Sequence, residues 1–280
     1  MIPGFEEFNV DLLGVLKRRL VHQLDRMQPE ILTQQMAEFV PDVQGVYQLF
    51  HKGELVYIGK TDAKRGLRNR LSRHAEKILH RPTLIDGVRF KSIRVMVFNA
   101  TDVETLLIKH YRHHSPGKTR RSQDRSIPWN GGGFGSNDPG RERETTNIAP
   151  DGFDMQHPID IDIAHTWIEA DGHPDMFHEG DMSVAELLQA LKHALPYTLR
   201  FETLRSPEGH ALPSRPHQDM VNARVRVPPA PQTVRSLMEA VVAALGPEWQ
   251  ATVFPSHVIL YKEKWDYAHG RIIGGGPSTP

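Results

Sequence analysis

The chain has 280 residues, of which 39% are hydrophobic, and its formal net charge is zero. This length suits two modest domains with packed cores rather than overall disorder. With no cysteine, a disulfide framework, a thiolate zinc site and a cysteine nucleophile are all excluded, and no apolar run reaches membrane-spanning length.

The zero net charge conceals a division. Residues 1–147 carry 24 Lys+Arg against 17 Asp+Glu, and residues 148–280 carry 10 against 17. Within 51–125 the balance is 18 basic to 7 acidic. Such a concentration is the electrostatic footprint of a polyanionic partner, because solvated surfaces usually mix both signs.

In chain order, the acidic start Met1–Glu7 lacks the basic-then-apolar order of a secretion signal, so a cytoplasmic location is expected. Apolar residues at three- and four-residue steps from Asp11 to Leu24 predict a helix, and Pro29-Glu30 predicts the first turn of a second, ending before Pro41. Gly45 to Phe50 and Leu55 to Ile58, joined by His51-Lys52-Gly53-Glu54, predict a hairpin. Gly66 to Leu79 has helical spacing, with Leu67, Leu71, Ile78 and Leu79 on one side and Arg68, Arg70, Arg73 and Lys77 elsewhere. Val88 to Phe98 alternates as a third strand, and Asp102 is placed to cap a helix containing Glu104. From His110 to Asn147 the chain is basic, polar and glycine-rich, the composition of a loop.

The second half is acidic. Ile159 to Ile163 alternates as a strand, Ser183 to Leu195 reads as a capped amphipathic helix and Thr233 to Leu245 as a helix, and Tyr197–Phe201, Ala223–Val227, Trp249–Phe254 and His257–Tyr261 read as strands. The similar spacing of apolar residues in the two helices suggests a duplicated strand-helix-strand unit. The expected fold class is therefore α+β: a small antiparallel three-stranded sheet flanked by helices, followed by a small α/β sandwich. The expected divisions are 1–40 (helices on the core), 41–147 (catalytic domain), 148–272 (acidic accessory domain) and a disordered tail at 273–280.

One ordered set of polar residues carries chemistry: Tyr47, Tyr57, Lys60, Arg70, His74, Glu104 and Asn130. It supplies candidates to activate water, cations to hold a phosphate and a carboxylate for a divalent metal. Taken singly, each has an ordinary role, as strand packing, an exposed helix position, a helix-dipole carboxylate or a turn former. As a set they suit phosphodiester hydrolysis.

Gly45-Val46-Tyr47 and Tyr57-Ile58-Gly59, with Lys60 next, followed by Arg70 and His74 one turn apart, then Glu104 and Asn130, resemble the GIY-YIG nuclease superfamily. Pro128-Trp129-Asn130 with Gly133-Phe134-Gly135 and Asp138-Pro139-Gly140 is similar to its type II restriction endonuclease branch. The resemblance covers about residues 43–147. It implies a three-stranded core, Mg²⁺ or Mn²⁺ held by Glu104, a water beside Tyr47 with His74 assisting, a bracing role for Asn130, and products with 5′-phosphate and 3′-hydroxyl ends. A phenol with an ordinary pKa near ~10 needs a nearby cation to act as a phenolate, and Lys60 and Arg70 are placed to supply that field. His74, near ~6.5, needs no such help. Arg70 would hold non-bridging oxygens through paired N–H groups.

Two departures stand out. An insertion, Arg112 to Ser122, separates Glu104 from Asn130, and the acidic half has no counterpart in the resemblance. Arg68 and Arg73, with Lys118, Arg120, Arg121 and Arg125 in and after the insertion, are candidate DNA contacts, to phosphate before base edges. The expected partner is double-stranded DNA. A palindromic target implies a homodimer, and the acidic half is available as a dimer interface, a protein docking site or a cover over the basic cleft. The alternatives are a structure-specific repair or recombination nuclease and a non-catalytic DNA-binding protein.

Overall fold

A computed structural model describes residues 11–62, 64–84, 87–96, 100–113, 127–131, 134, 140–145, 152–164, 180–205 and 211–275. The chain divides into two compact units, one comprising Met1–Ile78 with Leu84–Gly135 and the other Leu79–Thr83 with Ser136–Pro280. Helices and mainly antiparallel sheets make both units, so the class is α+β.

In the first unit, strands β1 (Glu30–Ile31), β2 (Gly45–His51), β3 (Glu54–Thr61) and β4 (Val88–Arg94) form one antiparallel sheet in the order β1-β4-β2-β3. The expected three strands are its central and long members. The fourth is the short β1, at a place where the sequence predicts a helix. Glu30 and Ile31 pair instead with Phe90 and Arg89, and the helix begins later as α2 (Gln34–Glu38), capped by Thr33. Lys52 and Gly53 turn the β2–β3 hairpin with positive φ at both residues, which matches the right-handed twist of the strands.

Helices cover both sheet faces, which is why Gly45–Leu49 are all buried instead of alternating. On one face, α1 (Leu12–Arg26) and α4 (Ala100–His113) bring Leu20, Leu24, Val103 and Leu107 against Val46, Ile58 and Ile93. The helix α4 starts at Ala100, so the Asp102 position lies within its first turn and not at the residue before it. On the other face, α3 (Leu67–Ile78) buries Leu67, Leu71, His74 and Ala75 at helical spacing. The short α5 (Pro128–Gly131) lies beside the free edge of β3, reached there by Asn130.

In the second unit, after the single-turn helices α6 (Glu142–Thr145) and α7 (Phe153–Gln156), the chain forms β5 (Gly180–Ser183), α8 (Val184–Ala194) and β6 (Thr198–Phe201). Then follow β7 (Thr203–Arg205), β8 (Ala211–Pro216), α9 (Gln218–Asn222), β9 (Arg224–Val227), α10 (Val234–Leu245), β10 (Gln250–Val253), β11 (His257–Tyr261) and β12 (Arg271–Gly274). A four-stranded sheet runs β12-β10-β11-β6, with β6 parallel to β11, and β5–β9 and β7–β8 are separate ribbons. Both long helices carry capping boxes, at Ser183, where the sequence predicts a cap, and at Thr233.

Strand-helix-strand does recur, and β5 pairs with β9, but β6 joins β11 and not β10, so the two halves are unequal in pairing. Ile159 to Ile163 is not a strand. Its backbone groups bond separately to Pro255, His80 and Arg235, so apolar alternation here anchors a coil to several neighbours without a ladder. Part of the tail expected to be disordered, Ile273 and Gly274, closes β12.

Candidate active site

The site is built at the end of the β2–β3 pair away from the hairpin turn. There Tyr47 lies opposite Gly59 and Gly45 lies opposite Thr61. A β-carbon at Gly59 would fall 2.3 Å from both Cζ and Oη of Tyr47. Glycine is required because the phenol ring lies directly over that backbone. A β-carbon at Gly45 would meet the Ile93 carbonyl oxygen at 2.3 Å and Leu67 Cδ1 at 2.7 Å. The second glycine therefore lets the start of α3 settle onto the sheet. Thr61 Oγ1 accepts the Gly45 N–H at 3.0 Å and ties this end together.

Arg70 and His74 leave α3 one turn apart and both reach the Tyr47 phenol. Arg70 Nε donates to Tyr47 Oη at 3.3 Å, and the same oxygen lies 2.7 Å from His74 Nε2. Tyr57 closes the cluster, its ring centroid 5.9 Å from Tyr47 and 5.5 Å from His74. Four of the expected site residues therefore converge.

Tyr47 is 0% exposed and His74 3%, and this burial sets the electrostatics. It pushes the Tyr47 phenol well above its ordinary 10.0, and Tyr57 adds to that, against the opposing charge and hydrogen bond of Arg70. Burial likewise holds His74 well below 6.5, helped by the positive charges of Arg70, Lys77 and Arg73. The expectation that Lys60 and Arg70 create a phenolate at Tyr47 is corrected accordingly. Desolvation outweighs Arg70, and Lys60 is engaged elsewhere. Near neutral pH the pair is a protonated phenol beside a neutral imidazole. Because the Arg70 N–H already points at the phenol oxygen, the phenol hydrogen is assigned to His74 Nε2.

Lys60 Nζ lies 3.6 Å from Glu104 Oε2, with the side chains 33% and 24% exposed. Strand alternation turns Lys60 to the face opposite Gly59, where Val103 and Leu107 of α4 pack. The Lys60–Glu104 pair and the Tyr47 cluster thus leave the same strand from opposite faces. Among the described residues no group of three or more His, Asp or Glu side chains is arranged to hold a metal.

Asn130 is a structural brace. Its Oδ1 accepts the Ile58 N–H at 2.8 Å and its Nδ2 donates to the Ile58 carbonyl at 2.7 Å. One side-chain amide thereby takes the place of a neighbouring strand on the free edge of β3. Arg68 and Arg73 are exposed on α3, with Arg68 Nε donating to the Val40 carbonyl at 3.0 Å. Lys118, Arg120, Arg121 and Arg125 lie outside the described residues.

Two contributors were not singled out by sequence reasoning: Thr61, and Phe134, whose ring stacks on His74 with centroids 4.6 Å apart. Thr61 carries no signal beyond ending the strand. Phe134 stands within the Gly-Phe-Gly stretch, but sequence spacing does not place it on the histidine. No known family model matches the chain, and comparison with curated proteins and with solved structures likewise yields no match.

Proposed function

We propose that the chain is a metal-dependent endodeoxyribonuclease, GIY-YIG-like, hydrolysing phosphodiesters of double-stranded DNA to 5′-phosphate and 3′-hydroxyl ends in a restriction-like role against foreign DNA. The observation that carries this reading is the Tyr47 oxygen held between Arg70 and His74, residues 23 and 27 positions away in the chain. A buried phenol needs a hydrogen-bond partner in any fold, but one partner suffices for that, and here a guanidinium and an imidazole share the same oxygen.

Arg70 is the partly exposed cation of the cluster and would turn from the two phenols to a phosphate. Its move onto the phosphate uncovers the Tyr47 oxygen. A water then gives its proton to that oxygen while the phenol proton passes to His74 Nε2, leaving hydroxide to attack phosphorus. The P–O3′ bond breaks and the 3′-oxygen takes a proton from solvent. Burial keeps His74 neutral and so open to a proton, but it also weakens the imidazole as a base, so the transfer draws on the negative charge of the bound phosphate to stabilise the imidazolium.

Glu104 is the carboxylate assigned to a divalent ion. It is partly exposed and paired with the Lys60 ammonium at 3.6 Å, which the ion would have to displace. Mg²⁺ commonly takes one or two carboxylates and keeps its remaining waters, and an ion held by Glu104 would supply positive charge to the scissile phosphate only where the DNA strand spans the β3 edge, because Glu104 and Tyr47 lie on opposite sheet faces. Asn130 keeps β3, and with it Tyr57 and Lys60, in register.

The test is a panel of supercoiled plasmid, linear duplex and branched junctions incubated with Mg²⁺ or Mn²⁺. Discrete cuts in unbranched DNA support restriction, cuts confined to junctions support the structure-specific alternative, and no cleavage of any substrate contradicts a nuclease. One observation favours a non-catalytic DNA-binding protein, namely that Tyr47 has no exposed surface. That reading expects retained DNA binding with no cleavage under any metal.

A further inference from the structure

Phe134 is the only aromatic side chain among the described residues that stacks face to face on His74; the rings lie 17° from parallel with centroids 4.6 Å apart. It is itself 2% exposed and also meets Tyr57 edge-on at 5.2 Å and Trp129 at 5.0 Å. Lys77, one turn beyond His74 on α3, places its ammonium 5.1 Å from the same ring centroid. The ring therefore touches the imidazole, one of the two tyrosines and a cation that would otherwise stand nearer water.

We propose that Phe134 is a positioning residue for this site: its ring fixes the plane of the His74 imidazole and walls it off from solvent, so that His74 exchanges its proton through Tyr47. The catalytic consequence rests on the nuclease reading; the effect on the imidazole does not. An imidazole free to rotate about its χ2 bond points Nε2 at the phenol only part of the time, and stacking on a ring clamped by Tyr57 and Trp129 removes that freedom. Exclusion of water matters as much. The charged groups facing His74 are Arg70, Arg73 and Lys77 of its own helix, and from the sheet it meets the phenol rings of Tyr47 and Tyr57. None of these stabilises an imidazolium, so the neutral form persists as long as water is kept away.

The test replaces the ring with a side chain that fills space without stacking. In the intact chain, Phe134→Leu and Phe134→Ala are compared with wild type and Phe134→Tyr by NMR titration of the histidine ring signals, with His74→Gln identifying the His74 resonance. Phe134→Leu guards against the alanine variant failing to fold. The His74 pKa is expected to rise toward 6.5 in Phe134→Leu, by about half a unit or more, and to stay near the wild-type value in Phe134→Tyr. The acid limb of any cleavage profile is expected to move with it. An unchanged His74 pKa in a folded Phe134→Leu protein overturns the proposal. A shifted pKa in Phe134→Leu, with a wild-type protein that cleaves no DNA, upholds it and refutes the nuclease reading instead.

Discussion

Glu104 on α4 is partnered by Lys60 on β3 at 3.6 Å, on the opposite sheet face from Tyr47. Both side chains are about a quarter to a third exposed, so the pair contributes less than ~1 kcal/mol to stability. Lys60→Met is therefore expected to leave the unfolding midpoint nearly unchanged. With the competing ammonium gone, Mn²⁺ should bind several-fold more tightly, and Glu104→Gln should abolish that binding. Calorimetric titration of Mn²⁺ into the protein without DNA checks both, and identical affinity in wild type and Glu104→Gln would remove Glu104 as the metal ligand.

The buried histidine predicts a pH signature in stability. The folded-state pKa of His74 lies below its unfolded value of 6.5, so the unfolded chain binds the extra proton more readily as pH falls. The stabilisation linked to neutral His74 is complete above pH 6.5 and is lost as pH drops from there through the folded pKa. His74→Gln is expected to flatten the fall of the thermal midpoint between about pH 6.5 and 5. A wild-type slope that survives the substitution would mean that other groups govern it.

Gly59 is constrained by contact, because a methyl group there collides with the Tyr47 ring. Gly59→Ala is expected to cost about 1–3 kcal/mol as an overpacking change, and to displace the phenol from His74. Loss of the His74 pKa depression together with stability, read by NMR and urea unfolding, is the expected pair of effects. A folded variant of wild-type stability would contradict the close approach.

The legible parts of this chain were those where one segment decides its own shape. The hairpin turn at Lys52-Gly53, the α3 face of Leu67 and Leu71 and the cap at Ser183 follow from local rules, whereas Leu79, expected on the same α3 face, lies past the helix end and is exposed. Glu30–Ile31 and Ile159–Ile163 misled for the converse reason: distant partners, Phe90 for the first and Pro255, His80 and Arg235 for the second, settle their conformation. In the site, residue types and their order were readable, whereas charge state was not. Burial of Tyr47 and the stacking of Phe134 are products of tertiary packing, and they reverse the expected direction of the phenol's pKa.

The Asn130 brace can be separated from chemistry. Asn130→Ala leaves the Ile58 N–H and carbonyl on the strand edge without their partner, which is expected to cost about 1–3 kcal/mol. Cleavage per folded molecule should fall less than in any variant of the Tyr47 cluster. Urea unfolding alongside activity measures both, and an Asn130→Ala protein that is fully stable yet inactive would give Asn130 a direct catalytic role instead.

The central claim is that the guanidinium on the Tyr47 phenol engages a phosphate undergoing hydrolysis. Its most direct measurement is single-turnover cleavage of supercoiled plasmid in Mg²⁺ by wild type and Arg70→Ala, with DNA affinity recorded in parallel. The account expects wild-type cleavage and a fall of about 100-fold or more in Arg70→Ala, as for loss of a donor to developing charge, with folding intact and binding far less affected. Equal cleavage by the two proteins, or none by wild type with either Mg²⁺ or Mn²⁺, would contradict it.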